Sequence, residues 1–169
     1  MDLDFWNERE TWKFSWDERV ESFFCFGETA WGDQYAYRRR AAHGGFDPEV
    51  YFLDGIALQA GVLAPNFAAF LTDEFLRNAT RPYDSQTVEA MNRLGPVAPD
   101  QHWVHVPSLA LGGPESVDNV ISLLAITAMI AAGDIDTSLS AAPESASIAG
   151  IEPWRDQRGR DRLRVLYLD

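Results

Sequence analysis

Reactive side chains are few in this sequence: three histidines, one cysteine and one lysine among 169 residues. His102 and His105 are three apart in a segment, His102 to Val106, that reads as a strand closed by Pro107. Side chains alternate along a strand, so positions three apart face opposite ways and cannot grip one metal ion as helical i, i+4 histidines do. His43 stands in a glycine-rich turn. No metal and no cofactor are expected. Cys25 sits among Phe23, Phe24 and Phe26, and apolar surroundings raise a thiol's pKa, so it reads as a core residue and not a nucleophile. Paired carboxylates such as Asp73 and Glu74, or Asp134 and Asp136, have the residue types of a glycosidase, but any acidic surface supplies them. Neither a phosphate loop with its lysine nor a nucleophile elbow nor a zinc ribbon is present, and the expectation is a protein that is not an enzyme. An enzyme reading would need a deep pocket in which His102 or His105 converges with a carboxylate.

Charge is more informative than any of these. With 14 Lys and Arg against 26 Asp and Glu the formal net charge is -12, a field that repels nucleic acid and anionic lipid and attracts basic surfaces. Residues 41–151 hold 13 acids against three bases, a local charge of -10, so the acidity belongs to the body of the protein and not to a tail. Arg38-Arg39-Arg40 reads as the solvated end of a strand, where charge discourages edge pairing. A single cysteine excludes an intrachain disulfide, and the acidic start Met1-Asp2-Leu3-Asp4 lacks a signal peptide's positive charge, so a cytoplasmic location is expected. Val120 to Ala132 is apolar but too short to span a membrane, and reads as a buried helix ended by Gly133.

The elements that would carry these residues alternate between strand and helix patterns. Trp12, Phe14 and Trp16 at even spacing suggest an edge strand over Thr11 to Trp16. Glu21 to Phe26, Gln34 to Arg39 and Val50 to Asp54 read as an antiparallel meander, the first strand buried on both sides. From Pro65, Phe67, Phe70, Leu71 and Phe75 follow the spacing of an amphipathic helix, with Asp73 and Arg77 as an ion pair on its wet side. A second helix covers Ser85 to Leu94 and stops at Gly95-Pro96. Ser116 or Asp118 is placed to cap the apolar helix that follows. Asp136 to Glu152 reads as a linker and Leu163 to Leu168 as a last strand. The predicted fold is α+β, an antiparallel sheet of roughly four to six strands with helices packed on one face, in a domain over 1–135 followed by a linker and C-terminal strand over 136–169.

The run Phe26-Gly27-Glu28-Thr29-Ala30-Trp31-Gly32-Asp33-Gln34-Tyr35-Ala36-Tyr37, then Val50 to Asp54, then Phe67 to Leu71, resembles the hairpin, strand and helix of the SUKH superfamily of bacterial immunity proteins. Met91 to Val97, and Val106 to Gly113 with the apolar stretch behind it, are similar to the C-terminal domain of type VI secretion immunity proteins that guard against DNase effectors. The likeness extends over about residues 21–135. It implies a non-enzymatic α+β protein that binds a cognate toxin and blocks it. Toxins that cut nucleic acid need basic clefts, which an acidic inhibitor can occupy while aromatic anchors fill the desolvated centre. The candidate contacts are Glu28, Trp31 and Asp33 in the first turn, Asp47 and Glu49 in the second, and Asp73 and Glu74 on the first helix. The alternative is a regulatory or structural interaction domain on the same scaffold with no toxin involved.

Overall fold

Four strands in chain order build the central antiparallel sheet: β1 (Phe23–Glu28), β2 (Gln34–Arg38), β3 (Val50–Leu53) and β4 (Ala60–Ala64). The structure is a computed structural model describing residues 2–16, 18–40, 44–143 and 145–168, and its class is α+β. The first three strands are the meander read from the sequence. β4 had no such signal, because Ala60 and Gly61 lack the branched side chains that mark strands. Register pairs Cys25 with Ala36 and Ala36 with Tyr51, which puts Phe23, Cys25, Ala36 and Leu53 into one core. The opposite face carries Phe26, Tyr35, Tyr37 and Leu63 around Val50, Ala64 and Phe70. The aromatic run of β1 is thus covered on both faces.

The N-terminal segment departs from the expected edge strand. Leu3–Asn7 forms helix α1, capped by the Asp2 carboxylate, and Lys13–Ser15 forms a 3-10 turn. Trp6, Trp12 and Trp16 still reach one core, delivered by these tight turns, and each buried indole N–H finds an acceptor: Gln34 Oε1, the Trp6 carbonyl and the Met129 carbonyl. The edge of β1 is filled by side chains instead of a strand. The Asn7 amide donates to the Cys25 carbonyl and accepts from its N–H, both at 2.7 Å, while Lys13 Nζ donates to the Phe23 carbonyl at 2.7 Å. An amide side chain carries the same donor and acceptor as a peptide unit, so Asn7 stands in for the missing neighbour.

Beyond the sheet, one helix runs through α2 (Phe67–Ala69), a widened π turn (Phe70–Phe75) and α3 (Leu76–Ala79). Its cap is Asn66, so Pro65 lies just outside the first turn where it was expected. Of the predicted apolar stripe only Phe70 is buried; Phe67, Leu71 and Phe75 are exposed, because the helix meets the sheet face through Phe67 and Phe70 alone, against Phe26, Tyr35 and Tyr37. Helix α4 (Ser85–Leu94) has its expected limits, capped by Asp84 and stopped by Gly95 at φ +79°.

The apolar stretch after Asn119 divides where one helix was expected. Val120–Leu124 is strand β6, paired with β5 (Gln101–His105), and helix α5 runs Ala125–Ala141. Ser116 caps a 3-10 turn, Val117–Asn119, instead of a helix. Gly133 does not end α5 but lets it approach the N-terminal segment: a Cβ there would lie 2.5 Å from Ser15 Oγ and 2.8 Å from the Trp16 ring. The expected linker is likewise corrected. Asp136–Ala141 completes α5, and β7 (Ile148–Arg155) pairs with β8 (Asp161–Tyr167) in a hairpin, so the last strand finds its partner within the chain. The limit placed at residue 135 falls inside α5.

The hairpin docks through charge. Asp134, buried on α5, accepts from Arg162 Nε at 2.9 Å and from the Leu163 N–H at 2.8 Å, and the Arg162 terminal nitrogen closes a second contact to it. Those bonds hold the Arg162 guanidinium above its ordinary pKa. Arg160 stacks over Phe14 and pairs with Glu10 and Asp156. Tyr167 donates its hydroxyl to the Ser138 carbonyl at 2.8 Å.

Candidate functional site

The turn from β1 to β2 is built by its own polar side chains. Thr29 Oγ1 accepts from the N–H groups of Trp31 and Asp33 and donates to Asp33 Oδ2 at 2.7 Å, while Asp33 Oδ1 accepts from the Gly55 N–H at 2.8 Å. Asp33 therefore braces two turns. Gly32 at φ +90° faces His102, and a Cβ there would lie 3.2 Å from Nδ1. The turn projects Trp31 between β5 and α4. Its indole N–H donates to Thr87 Oγ1 at 3.0 Å, and Thr87 in turn donates to Asp84, the helix cap. Hydrogen bonds from the Thr87 backbone and hydroxyl hold the Asp84 carboxyl below its usual range. The Trp31 ring stacks on His105, 5.4 Å between centroids and 15° between planes, and meets Trp103 edge-on.

The two strand histidines do face opposite ways. His102, buried, lies 3.1 Å through Nε2 from Glu28 and edge-on to Trp6. His105 Nε2 lies 3.0 Å from the Gln86 amide nitrogen, a donor only, so Nε2 accepts and the ring's proton resides on Nδ1. Burial pushes the His105 pKa below its ordinary value, opposed in part by Glu115. His43 lies outside the described residues. Cys25 is fully buried, and burial pushes its thiol up to about 11.

Trp31, Trp103 and His105 line a cavity of about 410 Å³ whose wall continues along Val106, Pro107 and Leu109 to α5 and the C-terminal hairpin. Gln86 and Glu115 also line an adjoining cleft of about 330 Å³, completed by Ser85, Glu89, Ser116 and Val117. No lysine or arginine borders either space among the described residues. Most of the cavity wall is aliphatic, but the Trp31 ring, with His105 stacked on one face, stands beside the carboxylates of Asp33 and Glu115 without a competing base, an arrangement that suits a cation. Trp103, 2% exposed, adds an indole N–H with no acceptor among the described residues.

The seven predicted contacts are distributed unevenly around this place. Trp31 and Asp33 line the cavity; Glu28 is turned toward His102, away from it. Asp47 pairs with Arg40 at 3.0 Å, and its N–H bonds the Arg38 carbonyl at the far end of β2. Five residues of strand separate the two turns, roughly 17 Å. Glu49 is half-buried before β3. Asp73 pairs with Arg77 at 3.5 Å in the open, whereas Glu74 stands near Tyr35, whose hydroxyl pKa is raised by burial first and then by Asp33 and Glu74. Sequence reasoning missed Gln86, Glu89, Trp103 and Glu115. Only the Asp84 to Thr87 cap signal could have oriented α4; nothing local brings Glu115 to it.

Among the described residues no group of three or more His, Cys, Asp or Glu could hold a metal, and no helix is long and apolar enough to cross a membrane. No family model matches the chain, and a search of curated proteins finds no match.

Proposed function

We propose that this protein is an immunity protein: it binds a cognate bacterial toxin with a basic active site, such as a nuclease, one to one, and blocks it. The observation that carries this reading is the aromatic cavity joined at Gln86 and Glu115 to a cleft bearing Glu89, with no base in either lining. An arginine or lysine of the partner would lie on the Trp31 face and meet Glu115 and Glu89, a desolvated anchor surrounded by the negative field of the body. That field also steers a cationic partner and speeds its arrival.

The test is co-expression with the product of the neighbouring gene, followed by stopped-flow association of the purified pair. A stoichiometric complex that abolishes toxicity, with association slowing markedly as salt rises from about 0.1 M to about 1 M, is the expected result. Glu89→Gln with Glu115→Gln should weaken binding about tenfold or more, as loss of a charged pair at an interface does. A neighbouring product that is harmless, or toxic yet neither bound nor inhibited, would refute the proposal.

A further inference from the structure

The two edges of the central sheet are treated differently. Asn7 and Lys13 occupy the backbone groups along β1. Among the described residues no strand pairs with β4 on the side away from β3. Ala60, Gly61 and Val62 are exposed, Val62 at 62%, and they pair with Leu53, Phe52 and Tyr51 without a break; the irregularity in that ladder lies at the other end, by Val50. An uncovered edge of this kind is a template for another strand.

The sequence around it selects the occupant. Gly55 to Thr72 is 18 residues without Asp, Glu, Lys or Arg, the longest such run in a chain that is 24% charged. It is bounded by Asp54 and Asp73. A basic partner gains less from a neutral edge than from the acidic cleft, while two bodies of charge -12 repel least where neither carries charge. The π turn beside β4 adds exposed Leu71 and Phe75, apolar surface that a second copy would cover. The C-terminal hairpin shows the contrast, its strands carrying the exposed charges of Arg155 and Arg164.

We infer that β4 is a homodimer edge: two copies pair antiparallel through Ala60–Ala64 across a two-fold axis, joining two four-stranded sheets into one of eight. Antiparallel strands related by a two-fold are self-complementary, as a closed symmetric interface requires. The inference is independent of toxin binding and carries the opposite salt dependence. Screening strengthens association of like-charged copies and weakens that of an acidic protein with a basic partner.

Sedimentation equilibrium of the full chain tests it. A monomer–dimer equilibrium that tightens between about 0.1 M and about 1 M salt, as the Debye length falls from about 10 to about 3 Å, is expected. Val62→Lys, at an exposed site tolerant of change, sets like charges across the axis and should raise the dimer Kd about tenfold or more. Val88→Lys, which makes the same charge change on α4, should leave it unaltered. Amides of Ala60–Ala64 should exchange more slowly as protein concentration rises. A monomer at every concentration and salt overturns the inference and leaves β4 open to a partner's strand; a dimer indifferent to Val62→Lys places the contact elsewhere and overturns it equally.

Discussion

Replacing Asp134 by asparagine tests how the C-terminal hairpin is held. Both carboxylate oxygens accept from Arg162 Nε, Oδ2 also accepts the Leu163 N–H, and the Asp134 side chain is 3% exposed. Asparagine keeps the shape but loses the charge, and in either rotamer its NH2 faces one of those donors. Removing one member of a buried pair costs about 3–5 kcal/mol. Arg162, 17% exposed, can recover some hydration, which brings the expected loss to about 2–4 kcal/mol. Urea denaturation followed by tryptophan fluorescence measures it, and hydrogen exchange shows where it falls: β7 and β8 amides should lose protection more than those of β1 to β3. Asp134→Leu with Arg162→Met should regain only part of the lost stability, because an apolar pair replaces the ionic one at little cost but leaves the Leu163 N–H without its acceptor. A change below about 0.5 kcal/mol, the range of ordinary surface substitutions, would refute the docking described here.

Cys25 gives an alkaline test. Its thiol is pushed up to about 11 from 9.0 by burial, so the folded state retains a proton that the unfolded chain releases, and stability is lost as pH rises from about 9 toward about 11. The difference is worth about 3 kcal/mol, and Cys25→Ala should remove that slope from pH-dependent denaturation curves. His105 acts at the acid side. With its pKa lowered in the folded state, it contributes stability above its ordinary value of 6.5 that is lost as pH falls through the lowered one, a slope that His105→Gln should flatten in thermal melts. Gly133→Ala should destabilise by about 1–3 kcal/mol through its clash with Ser15 and Trp16, although alanine is the better helix former; an unchanged or raised Tm would show that α5 is not pressed against that segment.

Much of the sheet was legible because strand patterning and turn residues agree in it: Gln34 to Arg38 stands where alternation places it, Val50 to Leu53 where its β-forming residues do, and Asp84 and Gly95 delimit α4 as caps do. Failures occurred where two periods fit one run. Val120 to Leu124 is as apolar as the helix behind it, and only pairing with β5 decides its state. Trp12, Phe14 and Trp16 alternate like a strand, yet the alternation serves turns. The hairpin after Pro143 hides among serines, alanines and arginines, and its order comes from Asp134 and Phe14, far away in sequence. For the candidate site, Trp31 and Asp33 could be named from the turn, but the cavity needs Trp103, Glu115 and α5 together, which tertiary packing alone assembles.

The first and last segments are fastened to each other and to α5. Glu10 reaches Arg160 across 150 residues, and the Trp16 indole reaches the Met129 carbonyl across 113. During synthesis the Trp6 and Trp12 indoles find early acceptors in Gln34 and the Trp6 carbonyl, whereas the Trp16 indole must wait until α5 emerges. Such distant pairings raise the contact order and slow folding. Weakening the contact of Trp16 with α5 would therefore alter how quickly the chain escapes chaperones.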